Sequence, residues 1–182
     1  MTQVVLVDNQ DNEIGTKDKI QAHLGEGDLH RAFTILVFNE KGETLVAQRS
    51  ADKMLWPLFW DNTCASHPLP GEGYVEAGER RLTEELGFTC NLAVVDRFQY
   101  RERFDDVGSE NELCTTLIGD YNGKVHPVAS EVSDYKWMGI GELKSDMIKN
   151  PDIYTIWFKI ALDRLIEQGK IIRKRTDYDY KK

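Results

Sequence analysis

The chain has 182 residues, 41 % of them apolar, and a formal net charge of −8. That length can bury a substantial core within one domain, and the negative balance argues against a general nucleic-acid or anionic-membrane binder, since both repel it. Three scattered cysteines, Cys64, Cys90 and Cys114, are too few for a disulfide framework and read as reduced thiols in a cytoplasmic protein.

The opening MTQVVLVDNQDNEIG has neither a basic start nor a long apolar run, so no secretory signal is expected. No stretch approaches the about 20 apolar residues of a membrane span. Residues 4–7, then Asp8-Asn-Gln-Asp-Asn12, then Glu13-Ile-Gly15 read as a strand, a polar turn and a second strand. Residues 33–38 and 43–48 are β-rich runs flanking Asn39-Glu-Lys-Gly42, which predicts a hairpin. From Tyr74 to Leu86 the pattern is helical, and Gly87 is placed to end that helix in the left-handed conformation. Strand-like runs return at 94–104 and 113–120, with Asn122-Gly123 as a turn. Ile153, Ile156, Trp157, Ile160, Ala161 and Leu165 keep helical spacing on one face, with Gly169 as the stop. Strands around a central and a late helix predict a mixed α/β layered fold. Residues 1–169 are expected to form one domain, and 170–182 a charged, solvated tail.

Chemistry-bearing residues fall in three places. Glu72-Gly-Tyr-Val-Glu-Ala-Gly-Glu-Arg-Arg-Leu-Thr-Glu-Glu-Leu-Gly-Phe88 is densely charged, although an ordinary amphipathic surface helix looks much the same. His23 and His30 flank Leu-Gly-Glu-Gly-Asp-Leu, and His67 closes Asn62-Thr-Cys-Ala-Ser-His67. Glu110-Asn-Glu112 carries two carboxylates two residues apart, which an extended strand points to one face. Brought together, three imidazoles and two carboxylates make a nitrogen/oxygen site for Zn²⁺, Mn²⁺ or Mg²⁺; kept apart, they are unrelated surface residues. His126, before Pro127 in a turn, takes no role.

The 72–88 segment resembles the Nudix box, a loop-helix motif that binds metal-diphosphate, at Glu72, Arg80, Leu82, Glu84, Glu85, Gly87 and Phe88. It departs at two positions: Ser66 replaces the leading glycine, and Arg81 replaces a glutamate that helps assemble the hydrolytic metal cluster. A guanidinium cannot ligate a metal but can grip a phosphate. Ala22-His23, Leu29-His30, Gln48-Arg49, Trp56-Pro57, Asn62-Thr63, Ser66-His67-Pro68, Glu85-Leu86-Gly87, Tyr100-Arg101 and Glu110-Asn111-Glu112 together resemble the type I isopentenyl diphosphate isomerases, a Nudix branch, over nearly the whole chain.

That resemblance implies a Nudix-type α/β/α sandwich with additional N-terminal strands and a C-terminal helix. It implies a reaction that moves a double bond between isopentenyl and dimethylallyl diphosphate through a tertiary carbocation. By position, His23, His30, His67, Glu110 and Glu112 hold a divalent metal. Glu112 also transfers protons, helped by Tyr100. Trp157 faces the cationic carbon, where cation–π attraction helps, packs the late helix, or does both. Lys19, Arg49, Lys53 and Arg81 grip the diphosphate, with a Mg²⁺ bridging to Glu85. The expected partner is a small prenyl diphosphate, met by a cytoplasmic monomer or weak dimer without nucleic-acid or membrane partners.

One position breaks the pattern. The family's catalytic thiol stands two residues before the histidine of the His-Pro pair, where this chain has Ala65. Cys64 is adjacent, but in an extended segment its side chain points the other way. The alanine is an engineered change, a natural variation in an enzyme that protonates differently or works on another prenyl-type diphosphate, or the mark of a binder without catalysis. A Nudix diphosphohydrolase is the enzymatic rival, and Arg81 counts against it.

Overall fold

The computed structural model describes residues 2–171. Gln3–Val7 (β1) and Glu13–Asp18 (β2) pair antiparallel from Gln3↔Asp18 to Val7↔Glu13. Their turn is held by the Asp8 carboxylate, which accepts from Gln10 N at 2.8 Å and Asn12 N at 3.0 Å. Asp18 then caps the short helix Lys19–His23 (α1), accepting from Ile20 N and Gln21 N. One turn of helix brings Lys19 and His23 onto the same side.

His30–Phe38 (β3) is the hub of a nine-stranded sheet. It is almost continuously buried, as expected of a strand covered on both faces. It runs parallel to Gly108–Asp120 (β8) from His30↔Glu112 to Phe38↔Asp120, and antiparallel to Cys64–Ser66 (β6) at Phe33↔Ser66, Thr34↔Ala65 and Ile35↔Cys64. The predicted β3/β4 hairpin exists only at its turn. Phe38↔Thr44 is the one register pair with Glu43–Arg49 (β4), which then diverges to pair with Val132–Gly139 (β9) and with Trp60–Asp61 (β5). Leu92–Phe104 (β7) forms a long hairpin with β8 that places Tyr100 opposite Glu112.

Tyr74–Leu86 (α2) covers one face, burying Ala77, Leu82 and Leu86 with Phe33, Ile35, Leu45 and Leu117. It ends at Gly87, whose φ of 70° is the left-handed value expected. Ile140–Lys149 (α3) and Ile156–Glu167 (α4) cover the other face with Leu143, Met147, Phe158, Leu162 and Leu165. The α/β/α sandwich is therefore present, with β1 and β2 as the added N-terminal strands. The late helix begins three residues beyond Ile153, which lies in the 3₁₀ turn Pro151–Ile153 and is 42 % exposed. Beyond Gly169, Ile171 is buried in the cluster under α4, so the first residues of the expected tail are anchored. Residues 172–182 lie outside the described residues. Among the described residues no helix is long and apolar enough to cross a membrane.

Candidate active site

The face of the sheet beneath α1 and α4 carries a cavity of about 450 Å³. Its floor follows from strand alternation. Glu110, Glu112 and Cys114 occupy alternate positions of β8 and all line it. His30 starts β3 beside Glu112, His23 ends α1, and His67 follows β6. The five predicted ligands His23, His30, His67, Glu110 and Glu112 are all buried, and one potential ligand atom from each lies within 4.8 Å of the others. His67 Nε2 stands 3.0 Å from Glu112 Oε1, His30 Nε2 3.7 Å from the same oxygen, and His23 Nε2 2.9 Å from Glu110 Oε2.

The tautomers follow from the backbone. His23 Nδ1 donates to Lys19 O at 2.6 Å and His30 Nδ1 to Asp28 O at 2.7 Å, because a carbonyl can only accept. When neutral, each ring therefore turns an unprotonated Nε2 into the cluster, the orientation that metal ligation uses. His30 Nε2 is fully buried without a hydrogen-bond partner, an arrangement costly unless a cation completes it. Burial lowers the His30 pKa to about 4 and holds His67 well below its ordinary value. At His23 burial also works against the charge, but Glu110 outweighs it and the pKa rises. Burial and the neighbouring Glu110 push Glu112 well above the carboxylate range. An all-nitrogen/oxygen donor set without thiolate fits a divalent ion.

Glu112 is held from both sides. Its Oε2 accepts the Tyr100 hydroxyl at 2.6 Å, while Oε1 faces His67 and His30. Burial, and then Glu112 and Glu110, drive the Tyr100 phenol well above its usual pKa, so it keeps its proton. Trp157 packs in the core cluster, as expected, and also lines the cavity. Trp56 meets it edge-on, with centroids 5.2 Å apart, and Tyr100 lies at 6.0 Å.

Lys19, Arg49 and Lys53 line the cavity mouth, and Arg81 stands behind it on α2. Three of these cations, Arg49, Lys53 and Arg81, have carboxylate partners. Lys53 pairs with Glu131, and Arg81 contacts Glu85 at 2.5 Å, Glu84 at 2.6 Å and Glu131 at 3.1 Å. Glu85 is thus apart from the five-ligand cluster. It borders a second, water-sized cavity of about 20 Å³ shared with Cys64, Ala65 and Glu131.

Ala65 lines the main cavity beside Ser66 and His67, whereas Cys64 packs in the core under α2. Burial, with Glu85 adding to it, pushes the Cys64 thiol well up. The expected opposition of the two side chains is present. Asp61, Cys114 and Glu131 escaped sequence reading. Asp61 and Glu131 look like loop acids and Cys114 like a core thiol; in the folded chain Cys114 and Glu131 line this cavity, and Asp61 stands behind it on the Trp157 N–H.

Residues 28–158 match the family model described as NUDIX domain, so the class of protein is a NUDIX domain protein. Among solved structures the fold is similar to DR0079 of Deinococcus radiodurans, with a TM-score of 0.73 at 17 % identity over 89 % of this chain and 98 % of that one. It is also similar to a MutT protein of Methanosarcina mazei, with a TM-score of 0.64 at 20 % identity over 78 % and 96 %. Curated relatives called isopentenyl-diphosphate Delta-isomerase are closer in sequence. That of Burkholderia multivorans is 40 % identical over 88 % of this chain and 91 % of its own. That of Haloarcula marismortui is 40 % identical over 89 % and 90 %. The chain belongs to the isopentenyl-diphosphate Delta-isomerase family of NUDIX domain proteins.

Proposed function

We propose that this chain interconverts isopentenyl and dimethylallyl diphosphate by proton transfer, in a form slowed by Ala65. The observation that carries the reading is Glu112. This buried carboxylate joins Tyr100 on one oxygen and the histidine cluster on the other. It stands in a cavity with an aromatic wall on one side and cations at the mouth. The substrate is a small-molecule diphosphate. Its anionic end belongs with Lys19, Arg49, Lys53 and Arg81, and its alkene lies inward against Trp157.

His23, His30, His67, Glu110 and Glu112 are the residues to hold a divalent cation, with Mn²⁺, Mg²⁺ or Zn²⁺ suited to the donors. Bound there, such an ion would lower the proton affinity of Glu112 and steady the carboxylate. Glu112 exchanges a proton with the carbon next to the developing cation, and Tyr100 orients it through the 2.6 Å hydrogen bond. The proton lost from one carbon balances the proton gained by the other, so no co-reactant is consumed. The opposite face lacks its acid. Ala65 lines the cavity where the thiol is expected, and Cys64 is turned into the other core. Glu85, if freed from Arg81, would be the carboxylate to hold a Mg²⁺ brought in with the substrate diphosphate. A cytoplasmic setting and a monomeric or weakly dimeric assembly are part of the proposal.

Hydrolysis is the rival chemistry, and the Arg81 contacts to Glu84, Glu85 and Glu131 oppose it by neutralising carboxylates a hydrolytic cluster needs. Incubation with isopentenyl diphosphate and Mg²⁺, followed by chromatographic separation of products, decides between them. Dimethylallyl diphosphate with no phosphate release supports the isomerase; isopentenyl monophosphate or inorganic phosphate overturns it.

A further inference from the structure

Asp61, in the two-residue strand β5, is 4 % exposed and carries an unusual load of donors. Its Oδ1 accepts from Trp157 Nε1, Thr155 Oγ1 and Asn62 N, each at 2.8 Å, and its Oδ2 from Arg49 Nη1 at 3.3 Å. Four donors converging on one buried side chain are satisfied by a carboxylate that bears a negative charge. Arg49 is equally fixed. Its Nε donates to Trp56 O at 2.9 Å and its Nη2 to Leu55 O at 2.8 Å, and its Cζ stands 5.3 Å from the centroid of the Trp157 ring.

The arrangement has an electrostatic consequence. A guanidinium locked over Trp157 uses the same ring quadrupole that a cation in the cavity would use, and it repels that cation. An anion hydrogen-bonded to the indole N–H counters both effects: it offsets the Arg49 charge and pushes electron density into the ring. A neutral chain in the cavity is indifferent to this, whereas a positive one is not. We infer that Asp61 is a positioning residue that makes the Trp157 wall selective for positive charge, acting through Trp157 and Arg49 rather than touching the substrate. This rests on the isomerase reading, in which the cation forms beside Trp157. It assigns the wall's selectivity to a residue 96 positions away in sequence. Because only the cationic species is favoured, the effect belongs to the transition state and not to substrate binding.

The test is calorimetric binding, with Mg²⁺, of two probes to the whole chain and to Asp61→Asn. One probe is isopentyl diphosphate, saturated and uncharged in its chain; the other is a diphosphate bearing a dimethylammonium group on a two-carbon chain. The native chain is expected to prefer the ammonium probe by about tenfold or more, a preference within reach of cation–π and buried-charge effects. Asp61→Asn is expected to lose most of that preference while holding the saturated probe as well as before, or better as Arg49 is released to the diphosphate. An unchanged preference in the variant overturns the inference and leaves the isomerase reading standing. Equal weakening toward both probes also overturns it, by assigning Asp61 a purely structural part in joining β5 to α4. Failure of the native chain to bind either probe removes the isomerase reading and this inference with it. If Asp61→Asn does not fold, Trp157→Phe deletes the N–H while keeping an aromatic face. Loss of preference there supports the inference, and an unchanged ratio overturns it.

Discussion

In the proposed mechanism Ala65 is the residue on which the rate turns. Ala65 pairs with Thr34 in the sheet and lines the same cavity as Glu112, but its side chain carries no proton to give. A positioned general acid contributes roughly 10²–10⁴ in rate. Ala65→Cys is therefore expected to raise turnover by about 10²-fold or more, measured as kcat for dimethylallyl diphosphate formation. Cys64→Ala should leave the native rate within about twofold, because that thiol packs with Leu82 and Leu86 on the far side of the sheet and not in the cavity. A rate unmoved by Ala65→Cys would mean that the cavity runs other chemistry. The same scale shows what sequence reading can recover. His23, His30, His67, Glu110 and Glu112 stood out because imidazoles are few and the Glu-x-Glu spacing has a geometric meaning. Asp61 did not, because its partners Thr155 and Trp157 are 94 and 96 positions away.

At the scale of elements, the site depends on how α1 and α4 are seated. Gly108, where β8 begins, lies against the end of α1, and a Cβ there would stand 2.5 Å from His23 O. Gly108→Ala must push α1 outward. We expect a loss of about 1–3 kcal/mol in stability, the usual cost of overpacking, together with weaker metal retention as His23 leaves the cluster; denaturation and metal titration measure the two. On the opposite side Asp96 clamps α4 to β7. It accepts from Arg164 Nε at 2.5 Å and Nη2 at 3.1 Å and from Gln168 Nε2 at 3.0 Å. The Arg164 hydrogen bond, ahead of the opposing effect of burial, holds the Asp96 pKa at about 2, below its ordinary 3.8. A depressed carboxylate stabilises the fold above its unfolded-state pKa, and that stability is lost as pH falls through the folded value. Asp96→Asn should then cost about 0.5–1 kcal/mol at neutral pH, the range for a partly exposed pair. The gap from the native chain should close between pH 4 and pH 2 in urea titrations. Sequence reading missed α1 because five residues are too few to show a period. It found β3 and β4 but not their pairing, because each finds a longer partner, β8 and β9, elsewhere in the chain.

For the whole molecule, the histidine–glutamate cluster sits where α1, β3, β6 and β8 meet, so an ion there ties together segments from residue 23 to residue 112. Ligand binding to the native state alone adds about 2.7 kcal/mol at 100 times Kd, which for a domain of this size corresponds to roughly 5–10 °C in Tm. Chelation should lower Tm by that order, and re-addition of Mn²⁺, Mg²⁺ or Zn²⁺ should restore it to differing extents that rank the ions. Glu112→Gln should blunt both responses; full metal retention in that variant would contradict the ligand assignment. The layered architecture was legible because α2 and α4 carry clear apolar faces and β3 a continuous buried run. The sheet's strand order was not, since it is decided by pairings between distant segments.

The most direct test of the proposed chemistry is proton and phosphorus NMR of isopentenyl diphosphate with the chain and Mg²⁺ in D₂O. Transfer of protons at carbon predicts dimethylallyl diphosphate carrying solvent deuterium, formed slowly, with both phosphorus resonances of the diphosphate intact. A substrate that takes up no deuterium and forms no isomer, or a diphosphate that is cleaved, would contradict it.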